Sequence, residues 1–221
     1  MYLGSDFHRF WARCGRHQIH PDDDAHLKHS PFDHSVLPCP FDGPLEMAKV
    51  VICLANPKYD DDKDRQALNA LIMSMRSGED VLPEMFADFY RRTTGPIGLE
   101  ERRMRHLVSI LNVCPYASKS MEGKEVRVAS GLPSVWTAQK YLREVLMPRA
   151  QTGNIYLVVL RKLQLWGLTA DAEEVGNIRV VSGRELSGVM SQSLGEEIGL
   201  WLVRKGYVPL IKRQKRHHDS Q

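Results

Sequence analysis

The chain has 221 residues, of which 43% are hydrophobic and 26% charged, and its formal net charge is +3. That length is enough for one sizeable α/β domain, and the composition is typical of a globular protein rather than a disordered one. No apolar run approaches the roughly 20 residues that cross a bilayer, and the first residues lack the apolar segment of a secretion signal, so we expect a cytoplasmic protein without membrane contact.

The first part of the chain, residues 1–45, is expected to be a helix followed by an arm. Phe7, Phe10 and Trp11 have the spacing of one helix face. The segment 31–44 contains too many prolines for regular structure. We therefore expect the arm to wrap the edge of a sheet.

The cysteines and histidines give only a weak metal signal. The four cysteines include no C-x-x-C pair, which argues against a disulfide framework and against an iron–sulfur site: Cys14, Cys39, Cys53 and Cys114. Cys14, His17 and His20 have side chains that zinc accepts, but C-x2-H-x2-H is not a common zinc spacing. We predict that the protein binds no metal and no cofactor, with zinc binding as the lesser alternative.

A buried strand is predicted at residues 48–55, where a continuous apolar run is typical of a central parallel strand. The run stops at Asn56 and opens into a charged loop that contains Tyr59, Asp60 and Asp61. In open α/β sheets the active site lies at the carboxyl ends of the strands, so this loop is a candidate site. The alternative is an ordinary Asn-Pro turn.

Helices and strands alternate through the rest of the chain. Helical patterns cover residues 63–78, 82–93, 134–149 and 193–206, and further strands are predicted at 106–116, 154–162 and 177–183. Ser134 is the predicted cap of the third of these helices. The order predicts an α/β fold with three layers, α/β/α, around a central, mostly parallel four-stranded sheet.

We expect a single domain over residues 1–206 and a basic C-terminal tail over residues 207–221. The strand ends carry amides, phenols and a Ser-Gly-Arg loop. They carry no Gly-rich dinucleotide motif, no P-loop and no G-x-S-x-G nucleophile motif. Such groups are better suited to reading the edge of a nucleobase and holding phosphate than to nucleophilic attack.

At these strand ends the chain resembles the uracil-DNA glycosylase superfamily over roughly residues 40–206. "KVVICLANPKY" is similar to the family's first-strand motif, which reads GQDPYH after a KVVI-type run in one branch and G-[IM]-N-P-G in others. "SILN" is similar to the LLLN-type second strand, and "IYLVVLRKLQLWG" to the third. "RVVSGRELS" stands where the family has HPS and its minor-groove loop, and "GEEIGLWL" is similar to the closing helix.

The resemblance implies roles for named residues. Asn56 would orient the attacking water, and the nearby carboxylates Asp60 and Asp61 complete the predicted catalytic set. The predicted base-binding residues are Ala55, Tyr59, Asn112 and Tyr116, with Asn112 reading the Watson–Crick edge and a tyrosine stacking on the flipped base. The predicted DNA-binding residues are Lys119, Ser182, Gly183, Arg184 and Leu186, the last two probing the gap in the duplex.

The chain also departs from the family pattern. Asn56 occupies the position of the catalytic carboxylate, and Ser182 or Gly183 stands where the family has histidine. We therefore predict a monomeric, monofunctional DNA glycosylase that removes a damaged or modified base, such as a modified cytosine in phage DNA, rather than plain uracil. The alternatives are a non-catalytic DNA-binding module on the same fold and an unrelated α/β enzyme with zinc at the N-terminal cysteine and histidines.

Overall fold

The computed structural model describes residues 6–57, 65–77, 93–169, 175–181 and 190–209. The helices there are Asp6–Ala12 (α1), Asp24–Leu27 (α2), Arg65–Ser77 (α3), Glu101–Leu107 (α4), Gly123–Ala129 (α5), Pro133–Tyr141 (α6), Met147–Gln151 (α7) and Gln192–Arg204 (α8). The strands are Phe41–Asp42 (β1), Val50–Leu54 (β2), Val108–Asn112 (β3), Tyr156–Val159 (β4) and Ile178–Val180 (β5). The helix predicted at 82–93 and the tail beyond residue 209 fall almost wholly outside the described residues.

The strands form one sheet in the order β1-β3-β2-β4-β5. The last four strands are parallel to one another, and β1 pairs antiparallel with β3. The predicted α/β class and the mostly parallel sheet are therefore confirmed. The sheet has one strand more than the four predicted, because a two-residue strand between prolines has no sequence pattern of its own and forms only by pairing with β3.

Two hydrophobic cores lie on opposite faces of this sheet. Val51 and Cys53 face a core that includes α1 and α6, whereas Val50 and Ile52 face a core that includes α8. The alternation follows from the two-residue period of a strand. Helices therefore cover both faces, which explains why all five positions of β2 are apolar and buried.

The N-terminal arm continues β1 along the outer edge of β3. Asp33 N donates to Ala117 O at 2.9 Å, and Cys39 N donates to Pro115 O at 2.8 Å. The arm is held from outside by α3, where Asn69 accepts from Leu37 N at 2.8 Å through Oδ1. The expectation that the arm wraps a sheet edge is confirmed.

The helix predicted at 134–149 is broken into pieces. It begins at Pro133, so Ser134 lies inside the first turn and is not the cap. A π-helical turn, Leu142–Leu146, separates α6 from α7. Pro148 follows this turn and has no N–H to give to a carbonyl four residues earlier, which favours a local change of helix type.

The closing helix α8 is capped by Ser191, whose Oγ accepts from Leu194 N at 3.3 Å. It packs against the short 3₁₀ turn Gly95–Ile97. Within the ranges given above, no helix is both long enough and apolar enough to cross a bilayer.

Candidate functional site

The carboxyl ends of the parallel strands form the candidate site. Numbered along the chain, the four parallel strands lie in the order second, first, third, fourth. The connections from the central strand β2 and from β3 therefore leave in opposite directions, which creates a topological switch point between β2 and β4. Ligands of open α/β sheets bind in the crevice at such a point.

Asn56 lies at this edge, two residues after the end of β2. Its Nδ2 donates to Ser118 Oγ at 2.8 Å, to Pro57 O at 3.0 Å and to Tyr116 O at 3.2 Å. The two carbonyls only accept hydrogen bonds, so the amide nitrogen must face them. Oδ1 points the other way, and no described residue donates a hydrogen bond to it.

The loop after β3 is fastened to the loop after β2. Cys114 N donates to Ala55 O at 2.9 Å, and Ser118 N donates to Pro57 O at 3.4 Å. These bonds extend the parallel ladder beyond the strands. Ala55 is buried in the ladder, with 3% of its surface exposed, so it fixes the position of Asn56.

Asn112, the last residue of β3, pairs in register with Leu54 and is only 6% exposed. Its Nδ2 donates to Cys39 O at 3.0 Å, and its backbone N donates to Pro40 O at 2.8 Å. The two predicted amides thus lie at the carboxyl ends of adjacent strands, Asn112 within β3 and Asn56 two residues after β2. Each has its nitrogen bonded to a backbone carbonyl.

Tyr116 is fully buried, so its ring has no exposed face on which a base could stack. Its hydroxyl donates to Asp23 Oδ2 at 2.7 Å and accepts from His20 N at 3.1 Å. Burial, with the nearby Asp23 carboxylate second, raises the pKa of this phenol well above its usual range. Phe32 and His34 lie beside the ring, each with its centroid 5.9 Å away, so we assign Tyr116 to the framework of the site.

Asp23 is an important residue that the sequence did not single out. It is completely buried, and its Oδ1 accepts from Ser134 N at 3.0 Å. It therefore binds the N-terminus of α6 with one oxygen and Tyr116 with the other. It is the middle one of three consecutive aspartates, Asp22 to Asp24, at the start of α2, and nothing in their sequence distinguishes the buried one from its exposed neighbours.

The predicted C-x2-H-x2-H run does not converge on a common point. His20 Nε2 lies 2.9 Å from Phe10 O, and Nδ1 accepts from Asp22 N at 3.1 Å. Its ring stacks on Phe10 with 3.8 Å between centroids, and burial lowers the pKa of the imidazole. Cys14 is buried and His17 is exposed, and the described residues contain no group of three or more ligands placed to hold a metal ion.

Two cations follow β4 at the other side of the switch point. Arg161 and Lys162 are half-buried, and no carboxylate of the described residues pairs with them. Lys162 has φ 53° and is, among the residues the structure describes, the one non-glycine residue with positive φ. Strained backbone of this kind clusters at functional sites. The two adjacent cations are evident in the sequence, but the positive φ of Lys162 could not be predicted from it.

The remaining predicted site residues divide into two groups. Lys119 is exposed on the loop after β3. The others lie outside the described residues: Tyr59, Asp60, Asp61, Ser182, Gly183, Arg184 and Leu186.

Comparison with known proteins adds no assignment: no family model, no curated protein and no solved structure matches this chain.

Proposed function

We propose that this protein is a monofunctional DNA glycosylase, which flips a base out of DNA and hydrolyses its N-glycosidic bond without metal or cofactor. One observation carries the proposal: Asn56 stands at the switch point of a parallel sheet with its amide nitrogen bonded inward and its oxygen left as an acceptor. In this proposal the Asn56 oxygen accepts a hydrogen bond from a water molecule and holds it below the deoxyribose of the flipped nucleotide.

The reaction sets the requirements for the site. Breaking an N-glycosidic bond develops positive charge on the sugar and negative charge on the departing base. An amide oxygen is a poor base, so in this proposal Asn56 orients the water, and Asp60 or Asp61 supplies the carboxylate that offsets the charge on the sugar. Asn112 contacts the base edge, since it ends the adjacent strand.

Nucleic acid is the proposed partner because of the charges beside the site. Arg161 and Lys162 are half-buried cations at the switch point without an ion pair among the described residues. A phosphate is a good partner for such groups, since a partly buried charge without a counter-charge is unfavourable. In this proposal Lys119 and the sequence from Ser182 to Leu186, which lies outside the described residues, supply further contacts to the DNA.

The proposed target is a damaged or modified base, with a modified cytosine in phage DNA as the first candidate and defence against phage as the biological role. This follows from the departures from the family pattern, above all an amide at position 56 where a carboxylate is usual. It also fits a site in which the amide is built into the framework rather than free to act as a base.

The test is a panel of DNA duplexes that contain uracil, hypoxanthine, a thymine mismatch, hydroxymethylcytosine or glucosylated hydroxymethylcytosine. Alkali-labile abasic sites on one substrate, lost in Asn56→Ala and kept in Asn154→Ala, are expected. Asn154 is the control because it is an exposed turn residue that precedes β4 and so lies at the opposite edge of the sheet. Full activity of Asn56→Ala would refute the assigned site.

A non-catalytic DNA-binding module is the second candidate, and one observation favours it. Both predicted amides, Asn56 and Asn112, bond to backbone carbonyls as structural residues do. This candidate predicts salt-sensitive DNA binding with no abasic product on any member of the panel.

A further inference from the structure

The hydroxyl of Ser118 is placed to decide which end of the Asn56 amide faces the site. Ser118 is 5% exposed, and its Oγ lies 2.8 Å from Asn56 Nδ2. The same hydroxyl donates its single hydrogen to Ser120 O. Because that hydrogen is committed, Ser118 meets Asn56 only as an acceptor.

The other two neighbours of the amide nitrogen have the same character. Pro57 O and Tyr116 O are backbone carbonyls and cannot donate. If the amide turned over, Oδ1 would face three acceptors at close range. The three groups together therefore specify an N–H donor at this position and leave Oδ1 directed away from them.

This arrangement accounts for a departure that the sequence alone left unexplained. An ionised carboxylate at position 56 would bring a negatively charged oxygen against the same three acceptors. The surroundings of the residue, and Ser118 in particular, require an amide. The loop after β3 supplies two of the acceptors, Tyr116 O and Ser118 Oγ, that an amide at position 56 can bond and a carboxylate cannot.

We propose that Ser118 is a positioning residue, which holds the Asn56 amide with its oxygen directed at the reacting water. The inference rests on the proposed glycosylase function. Ser118 touches neither the base nor the water in this scheme and acts only through Asn56. Its neighbour Ser120 contributes the carbonyl that keeps the Ser118 hydroxyl turned away from Asn56.

The first arm of the test measures excision kinetics on the substrate that the panel identifies. Ser118→Ala is expected to lower kcat about tenfold with little change in KM, since about one hydrogen bond's free energy is lost from the orientation of the water. Ser118→Thr keeps the hydroxyl and is expected to restore most of kcat. Ser130→Ala is the matched control, because Ser130 also bonds a backbone carbonyl but lies in an exposed helix end.

The second arm does not depend on activity. The side-chain amide of Asn56, assigned by its loss in Asn56→Ala, is followed by ¹H–¹⁵N NMR. Its two proton shifts and its solvent-exchange rate are expected to change in Ser118→Ala and not in Ser130→Ala. An unchanged signal overturns the inference. If the wild type excises no base, the proposed function fails, and the positioning role is then decided by this arm alone.

Discussion

Changing Asn56 to aspartate alters one atom, and the structure predicts a pH-dependent loss of stability. The introduced oxygen would face Ser118 Oγ, Pro57 O and Tyr116 O in place of the donor that now bonds them. At neutral pH we expect Asn56→Asp to lower the free energy of unfolding by about 1–3 kcal/mol, because a bonded donor is replaced by a repelled anion.

The sign of the pH dependence follows from the same contacts. Three acceptors disfavour the ionised form, so the introduced carboxyl has a folded pKa above its unfolded value of about 3.9. The loss in the free energy of unfolding that comes from ionisation of this carboxyl is absent when the pH is below the unfolded pKa. It grows as the pH rises through the folded pKa. Urea unfolding at pH 4 and pH 7 checks this, and an equal deficit at both pH values would contradict the orientation assigned to the amide.

Tyr116 offers a second residue-scale prediction. Tyr116→Phe removes the donor to Asp23 and the acceptor for His20 N, so about 2–3 kcal/mol of stability should be lost at pH 7. Because the folded pKa of the phenol is raised, the wild type loses stability as the pH rises above about 10, where the phenol of the unfolded chain ionises. The difference in the free energy of unfolding between the wild type and Tyr116→Phe is then expected to narrow. Urea unfolding at pH 7 and pH 10.5 measures both, with the half-buried Tyr207→Phe as control. A gap that stays constant would show that the phenol is not held neutral by the fold.

At the element scale, the packing of α8 depends on two glycines one turn apart. A Cβ built on Gly195 would lie 2.3 Å from Pro96 Cβ, and one on Gly199 would lie 2.8 Å from Ile97 O. Alanine is favoured over glycine within a helix by about 1 kcal/mol, but such overlap forces the helix away from the 3₁₀ turn at a cost of about 1–3 kcal/mol or more.

We therefore expect Gly195→Ala to lower the free energy of unfolding by about 2 kcal/mol, measured by urea denaturation. The control is Leu200→Ala in the same helix, since Leu200 is 61% exposed and should change stability little. A Gly195→Ala variant as stable as the wild type would mean that α8 does not pack closely on Pro96.

Elements were predictable from sequence where one pattern decided them. β2 and α8 carry clear apolar patterns, and both form close to the predicted bounds. β1 and the π turn in the helix after Pro133 were not predictable, because each depends on a distant or downstream partner. β1 needs β3, and the π turn accompanies Pro148.

For the whole molecule, alternation of strands and helices was enough to predict the α/β class and the shared edge of Asn56 and Asn112. That the arm wraps a sheet edge was predictable, but its exact path was not, because that path is set by single long-range bonds. Asp23 to Tyr116 and Asn69 to Leu37 are such bonds, and each joins residues that carry no local signal. The sequence therefore predicted that the ends of β2 and β3 share one side of the sheet, but not the long-range bonds that hold the arm.

The location of the site on the whole molecule gives the last prediction, which concerns salt. Each phosphate that a cation neutralises contributes about 0.9 to the slope of log affinity against log salt concentration. If DNA lies along the carboxyl edge, Arg161→Gln/Lys162→Gln should lower this slope by about 2 in anisotropy titrations with a labelled duplex. Arg102→Gln/Arg103→Gln removes the same charge from α4, which leads into the amino end of β3, so the net charge of the two variants is equal. Equal salt slopes for the two double variants would place the DNA elsewhere. A lower slope for Arg161→Gln/Lys162→Gln alone would locate the DNA at the switch point.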